Sequence, residues 1–423
     1  MKDASPTSSK VRFTGRNRER SWQQIGRRFL TKKNGALIIG GNYRGLSIVR
    51  SLGRKGVPAW ITTQSPELLA CFSRYAGKTL PWTQGGSEEQ VAHLLRLAEQ
   101  YQLNGWVLFP TDDSSASLVA KFRDELSHRY AVTTPGWEVL RWAFDKRLTY
   151  QLAAEQQVDC PRTFYPSTEK DLATADCRFP AILKPATHAS TNRFTVDKAW
   201  PVADREELLA RYREAHELVS PDLILLQEMI PGGGSAQFSY AALCRDGRPI
   251  VSLTARRMRQ YPIDFGHSSC FVETVDVPEI VAPSQRLLAA IRYTGLVELE
   301  YKFDARDSRY KLLDINPRIW TWSPLGGRAG VDFPYLLWRL MMGKAVAEQT
   351  GRVGVRWIRM STDILAAAQE GFRGRLTLGS YLRSWRSPVE FALAAADDPL
   401  PGLLELPMCA YSYWMNHFRR NHA

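Results

Sequence analysis

Near residue 300 the chain reads Val297-Glu298-Leu299-Glu300-Tyr301-Lys302-Phe303, followed by Lys311-Leu312-Leu313-Asp314-Ile315-Asn316-Pro317-Arg318. The alternation predicts two β-strands. Residues i and i+2 of a strand share a face, so Glu298 pairs with Glu300 in direction, and Asp314 with Asn316. The polar segment from Asp304 to Arg309 reads as a hairpin loop. If the strands pair, Glu300 meets the Asp314/Asn316 face. Two carboxylates and an amide oxygen are hard donors, suited to Mg2+ that also keeps phosphate oxygens and water. Surface acids on a half-exposed hairpin give the same local pattern, and the choice between Glu298 and Glu300 stays open.

Two lysines occupy settings from which an anion can be reached. Lys146 lies in Phe144-Asp145-Lys146-Arg147, opening a helix that runs to Gln157. Lys184 ends the apolar run Phe179-Pro180-Ala181-Ile182-Leu183-Lys184-Pro185. A lysine at a strand end can meet a phosphate as a point charge. A third segment, Leu225-Leu226-Gln227-Glu228-Met229-Ile230-Pro231, runs into Gly232-Gly233-Gly234. A strand entering such a connection can offer adenine backbone hydrogen bonds and apolar contact. Each segment alone is also an ordinary solvated lysine or a strand followed by a loop.

The elements that must position these residues fall into three blocks. Ala36–Ile39 reads as a buried strand, followed by Gly40-Gly41-Asn42-Tyr43-Arg44-Gly45, a helix through Leu52 and a strand over Val57–Ile61. A helix at Glu88–Gln100, a strand at Trp106–Phe109 and then Thr111-Asp112-Asp113 extend the pattern. This predicts a Rossmann-like parallel sheet over 35–135, with an aspartate at the strand end where such sheets place ligands. The glycine turn departs from G-x-G-x-x-G, and Thr62-Thr63-Gln64 follow the second strand without an acid. The turn therefore predicts a tight bend or a small-anion contact rather than bound NAD. A helical passage spans Gly136–Val158. From Phe179 come short strands, with Asp246-Gly247 as a hairpin signal. Strands are predicted at Ala181–Lys184, Leu223–Glu228, Phe238–Arg245, Ile250–Ala255, Leu296–Asp304 and Tyr310–Ile315, and helices at Glu206–Leu218 and Ser284–Tyr293. After Asp332 the chain turns helical again.

The 423 residues carry 44% hydrophobic and 23% charged residues, which excludes fibrous, disulfide-scaffold and wholly disordered classes. No window holds the roughly 18–20 uninterrupted apolar residues of a spanning helix. The net charge of +13 is uneven: +8 lies in 1–34, +2 in 35–351 and +3 in 352–423. A near-neutral body argues against a nucleic-acid-binding module, whose charge must cluster on a folded face. The six cysteines form no C-x-x-C and read as reduced thiols of a cytoplasmic protein.

Taken in order, the motifs resemble those of the ATP-grasp carboxylate–amine ligases, over about residues 35–335. The elements are D-K, F-P-x-I-x-K-P, Q-E-x-I-P-G, basic residues and E-x13-D-x-N-P-R. The stretch Arg259-Gln260-Tyr261-Pro262 is similar to one in predicted carboligases, with the D-aspartate ligases as more distant relatives. The resemblance implies a mixed α/β and α+β architecture. A Rossmann-like pre-domain precedes a two-lobed ATP-grasp fold, with an added C-terminal helical segment. It divides the chain into a basic tail at 1–34, the pre-domain at 35–135, a small lobe with linker helices at 136–230, a metal-bearing lobe at 231–350 and an extension at 351–423.

The resemblance also implies roles, residue by residue. Lys146 and Lys184 match the lysines on ATP phosphates. Gln227, Glu228, Met229 and Ile230 match the adenine hinge, with Glu228 or a near neighbour on the ribose. Glu300, Asp314 and Asn316 match the Mg2+ ligands, for two ions, with Mn2+ as a substitute. Arg318 matches the arginine that stabilises an acyl phosphate, and Arg256 or Arg257 the basic residue near the γ-phosphate. The implied partners are a small carboxylate, an amine and a second copy of the chain, with no specific nucleic acid. The implied reaction activates the carboxylate as an acyl phosphate. Another ATP-grasp carboxylation or phosphorylation, and a degenerate nucleotide-binding regulator, are the alternatives.

One departure stands out: Ala186-Thr187-His188-Ala189-Ser190-Thr191-Asn192-Arg193 holds no glycine where the family's phosphate loop is often glycine-rich. His267 reads as a loop histidine and Lys198 as a surface lysine. Residues 399–423 carry Leu403, Leu404, Leu406, Met408, Tyr411, Tyr413 and Trp414 with Arg419 and Arg420. That composition allows an interfacial segment on the inner face of a membrane, or simple packing on the body.

Overall fold

The computed structural model describes residues 34–64, 68–187, 192–197, 199–264, 268–386 and 388–411. The basic tail before Asn34, His188–Thr191, Lys198, His267 and the segment after Tyr411 lie outside the described residues.

The first unit is a parallel sheet in the order β3-β2-β1-β4-β5. Its strands are β1 (Ala36–Ile39), β2 (Ala59–Thr63), β3 (Ala76–Pro81), β4 (Val107–Pro110) and β5 (Ala131–Val132). β1 and β4 are buried at every position, as a sheet covered on both faces requires. The order reverses between β1 and β4, so the crevice at their carboxyl ends is a topological switch point. The turn after β1 is tight. Gly40 has φ +112°, and a Cβ there would lie 2.2 Å from Thr111 Oγ1. A Cβ on Gly45 would lie 2.2 Å from the Gly40 carbonyl oxygen. Both glycines are thus required by contact, as the sequence pattern predicts.

A four-stranded antiparallel sheet follows in the order β6-β9-β7-β8. It comprises β6 (Thr163–Phe164), β7 (Ala181–Pro185), β8 (Trp200–Val202) and β9 (Ile224–Glu228). The helix Arg205–Leu218 covers it through Leu208, Tyr212 and Ala215.

The third sheet runs β14-β13-β10-β11-β12-β16-β17, with β15 paired to β11. Its strands are β10 (Gln237–Arg245), β11 (Arg248–Tyr261), β12 (Ser268–Thr274), β13 (Gly295–Asp304), β14 (Arg309–Asn316), β15 (Gln349–Thr350), β16 (Arg356–Ile358) and β17 (Val389–Phe391). Alternation gives it two different faces. Tyr240, Ala242, Val297, Leu299, Tyr301 and Leu312 pack with Leu152 and with Ile280, Leu287 and Leu288 of the helix Pro278–Ala290. On the other face, Ala241, Leu243, Leu253, Ala255 and Leu296 join one core with Ala36, Ile38, Leu46 and Val49 of the first unit. Any polar residue of β13 in phase with Leu296 must therefore face that unit.

Two elements differ from the sequence expectation. The helix placed at Ser284–Tyr293 begins at Pro278 and carries Pro283 inside it. Proline is welcome in the first turn, and the buried Ile280, Ser284, Leu287 and Leu288 hold the rest of the helix to the sheet. β11 extends to Tyr261, six residues past the expected end. It continues because β12 pairs with it as far as Tyr261↔Ser268. The C-terminal stretch is helical at Met360–Phe372, Leu378–Arg383 and Leu400–Leu403, and it also adds β16 and β17 to the large sheet. No helix among the described residues is long and apolar enough to cross a membrane.

Candidate active site

The β13–β14 pairing sets Glu298 opposite Asn316 and Glu300 opposite Asp314, with a bulge after Glu300. The bulge shifts the phase of β14 by one residue and keeps Asp314 and Asn316 beside the two glutamates. Val297, Leu299 and Tyr301 are buried on the other face, so Glu298 and Glu300 look toward the first unit.

The two glutamates differ. Glu298 is buried, and its Oε1 accepts from Ser239 Oγ at 3.0 Å and Trp322 Nε1 at 2.9 Å. Burial, reinforced by the charge of Glu300, pushes the Glu298 carboxyl up to about 8. Glu300 keeps 24% of its side chain exposed and has Arg257 Nη2 at 3.8 Å. Asn316 Nδ2 donates to Glu298 Oε2 and Glu300 Oε1, each at 3.2 Å. Glu300 is thus the accessible carboxylate of the pair.

Lys146 starts the helix Lys146–Glu155, whose N-cap is Asp145. Its Nζ lies 2.7 Å from Asp314 Oδ2 while the side chain is 7% exposed. Its backbone N–H donates to the Ala186 carbonyl, which ties the helix start to the end of β7. Two residues before Ala186, Lys184 Nζ donates to Gln227 Oε1 at 3.4 Å, and Gln227 Nε2 donates to Thr163 Oγ1. Tyr150 Oη donates to the Leu313 carbonyl, fixing the same helix to β14. Both lysines, Gln227 and Asp314 are thereby linked along one seam between the small sheet and the edge of the large one.

Three expected residues are placed otherwise. Glu228 is buried, and its oxygens accept from Arg162 N, Lys311 Nζ and Arg306 Nη2. These contacts lock the end of β9 to the β13–β14 hairpin and commit the carboxylate that was expected on a ribose. Met229 and Ile230 follow it directly, half-buried and buried. Arg256 lies over the Phe238 ring and donates to the Ser235 carbonyl, on the face opposite Glu300. Adjacent strand residues point to opposite faces, so Arg257 alone of the pair joins the carboxylates. Arg318 is buried and donates to both oxygens of Asp113, to Asn316 Oδ1 and to the Ile319 carbonyl. Burial opposes its charge, but Asp113 and Glu298 outweigh that and hold it above the ordinary arginine value. Most of its N–H groups are taken by protein acceptors, so it anchors Asn316 to the first unit rather than offering a free fork to an acyl phosphate.

Sequence reasoning missed several residues here. Asp113 was visible as a strand-end aspartate, but its arginine partner lies 205 positions away. Ser239 and Trp322 carried no local signal. Lys302 continues the Glu298–Glu300 face, and burial, then Arg257, lowers its ammonium to about 8. Among the described residues, no three His, Cys, Asp or Glu side chains form a closed metal cluster. Glu300 and Asp314 nevertheless supply hard oxygen donors of the kind Mg2+ takes when phosphate and water complete its shell, and Asn316 lies beside them with its Nδ2 on the glutamates and its Oδ1 on Arg318.

No protein-family model matches the sequence. A D-aspartate ligase of Enterococcus faecium (strain Aus0004) is 25% identical over 238 residues, covering 53% of this chain and 56% of that protein. The matched stretch is thus about half the length of that relative. Among solved structures, an L-amino acid ligase from Bacillus licheniformis aligns with TM-score 0.56 at 15% identity, over 74% of this chain and 75% of the other. A biotin carboxylase from Campylobacter jejuni, in a beta-gamma-ATP complex, aligns with TM-score 0.61 at 15% identity, over 76% and 74%. The chain has the ATP-grasp fold. In this ATP-grasp chain the small antiparallel sheet and the large, mainly antiparallel sheet are the two lobes, and the seam holding Lys146, Lys184 and Asp314 runs between them.

Proposed function

We propose that this ATP-grasp chain is an ATP-dependent ligase that activates a small carboxylate as an acyl phosphate and joins it to an amine. The observation that carries this reading is the register Glu300↔Asp314, with Lys146 on Asp314 and Arg257 beside Glu300. A carboxylate resists amine attack because its carbon is electron-rich. Its oxygen attacks the γ-phosphorus, the bond to the bridging oxygen breaks, and ADP leaves. The amine nitrogen then attacks the acyl carbon, phosphate departs with the bonding pair, and the nitrogen loses a proton. Both reactants of the first step are anions. Catalysis is therefore mainly positioning and charge neutralisation.

Lys146 and Lys184 would hold phosphate oxygens from the small-lobe side, and Arg257 would meet the transferring group from β11. Glu300, Asp314 and Asn316 would hold Mg2+, which when bound neutralises phosphate charge. Arg318 keeps Asn316 in place through its Oδ1. Gln227 to Ile230 supply the hinge backbone for adenine, with Glu228 as its internal tie.

The test is a screen of small carboxylates and amino acids in pairs for ADP release, with mass spectrometry of the product. Asp314→Asn is expected to lower carboxylate-dependent ADP release at least a thousandfold, and Lys184→Ala at least a hundredfold. Undiminished release in Asp314→Asn removes the assignment. A second reading, phosphorylation of bicarbonate, draws on the similarity to biotin carboxylase. Bicarbonate-dependent ADP release without an amine product would favour it.

A further inference from the structure

The switch point of the first unit holds a cation that the ligase reading does not use. Arg44 is the second residue of the helix Tyr43–Gly53 that follows β1, and its Nη1 donates to the Thr111 carbonyl at 2.7 Å. It therefore bridges the crevice between β1 and β4 at their carboxyl ends, where open α/β sheets bind ligands. Its Nε is buried and has no hydrogen-bond partner among the described residues. A buried guanidinium N–H without an acceptor is unfavourable, and an anion would complete it. The charges around it agree. Burial, then the nearby Arg318, holds Arg44 below the ordinary arginine value, with Asp113 and Asp112 only partly compensating. The Asp113 carboxylate is committed to Arg318 by a two-pronged contact. The Asp112 side chain is turned inward onto Ser115. Both nearby aspartates are thus engaged with other donors, and Arg44 Nε is left without an acceptor among the described residues. Its ligand is small, because the turn Gly40-Gly41-Asn42 is tight and β2 ends in Thr62-Thr63, with no acid to hold a ribose.

We propose that Arg44 is a specificity residue that binds a second carboxylate of the acid substrate, the one not activated, so that the preferred substrate is a dicarboxylate or acidic amino acid. The inference rests on the ligase reading for its place in a reaction. Through Asp113, Arg318 and Asn316 the crevice connects to the Glu300/Asp314 site. One end of a short diacid would lie at Arg44 and the other at the phosphoryl-transfer site.

The experiment is calorimetric titration of the full chain, without nucleotide, using probe pairs that differ by one carboxylate: succinate against propionate, and aspartate against asparagine in both enantiomers. Inorganic phosphate is a separate arm. The expected result is at least tenfold tighter binding of the dianion in the unmodified chain, with that preference lost in Arg44→Gln and partly kept in Arg44→Lys. Circular dichroism checks the fold of each variant. If Arg44→Gln fails to fold, a preference in Arg44→Lys equal to that of the unmodified chain overturns the proposal. So does equal binding of the paired probes, or a preference undiminished in Arg44→Gln. Tighter binding of phosphate than of any dicarboxylate assigns the crevice to a phosphate group and also overturns it. Because the titration needs no turnover, absent ADP release removes the ligase reading while leaving this result decisive for Arg44.

Discussion

Two arginine–aspartate pairs tie the first unit to later chain, and they differ in how completely their surroundings are satisfied. Arg50 and Asp398 join the first helix to the C-terminal extension, with side chains 6% and 1% exposed. Asp398 also accepts from Ser73 Oγ and Arg74 N, and Arg50 Nη2 also donates to the Leu393 and Asp398 carbonyls. Burial alone would raise this carboxyl, but the hydrogen bonds from Arg50 and Ser73 hold it below its usual range. Arg318 and Asp113 look alike in geometry, yet their neighbourhood is strained electrostatically. Glu298 is pushed up, while Lys302 and Arg44 are pushed down. A closed network is what structure alone requires. One that leaves charges in conflict marks the place where a ligand's charges belong.

The sharpest way to break this contrast is to remove the acid from each pair. Asp398→Ala leaves Arg50 buried without its partner and is expected to cost about 3–5 kcal/mol in urea unfolding, with carboxylate-dependent ADP release per folded molecule unchanged. Asp113→Ala should cost less, about 1.5–3 kcal/mol, because water reaches an aspartate site that is 34% exposed. It should nonetheless lower ADP release, because Asn316 loses its anchor. A larger stability loss at Asp113 than at Asp398 would reverse the assignment of roles.

The pH dependence of stability gives a smaller, more specific effect. Between about pH 4.5 and 8 the unfolded chain releases the Glu298 proton while the folded chain keeps it, so this group's stabilising contribution falls as pH rises through that window. Glu298→Gln should flatten that part of a urea-midpoint profile measured with a chelator present. Lys302 has the opposite slope. The unfolded chain holds its proton to about pH 10.5 and the folded chain releases it near 8, so its cost is full below pH 8 and fades toward 10.5. Lys302→Met should therefore raise the midpoint at pH 7 and leave it nearly unchanged at pH 10.5. An unchanged midpoint at pH 7 would show that Lys302 is not electrostatically strained.

What was legible in the sequence was what strands and glycines encode locally. The Glu300/Asp314 pairing follows from period-two alternation on either side of a polar turn, and the bend after β1 from Gly40 and Gly45. Side-chain commitments across long separations were not legible. Glu228 looked free because Arg306 and Lys311 lie 78 and 83 residues away. Arg318 looked like a free fork because Asp113 belongs to another unit. Arg256 and Arg257 could not be told apart until the register of β10 and β11 fixed their faces. Arg44 was legible only as a member of the glycine turn, since its own meaning depends on the carbonyl of Thr111 beside it in space.

The smallest expected effect lies in the C-terminal extension, a few residues past Asp398. Glu405 is buried and accepts from Arg359 Nε at 3.0 Å, whereas Leu403 and Leu406 are 73% and 70% exposed. The segment thus turns its acid inward and its leucines outward, which is the reverse of ordinary packing on the body. Substituting both outward leucines, Leu403→Ser with Leu406→Ser, should move the urea midpoint by no more than about 0.5 kcal/mol, because nothing is buried behind them. An interfacial role would show as weaker co-sedimentation of the double variant with vesicles containing anionic lipid. Equal co-sedimentation of the two proteins would leave the exposed leucines without a membrane role. Glu405→Ala should act in the other sense, since it releases Arg359, which also lies over the Tyr43 ring at 4.8 Å in the first unit. Its larger loss of stability, compared with the double leucine variant, would show that this end of the chain is held by its buried acid and not by its apolar side chains.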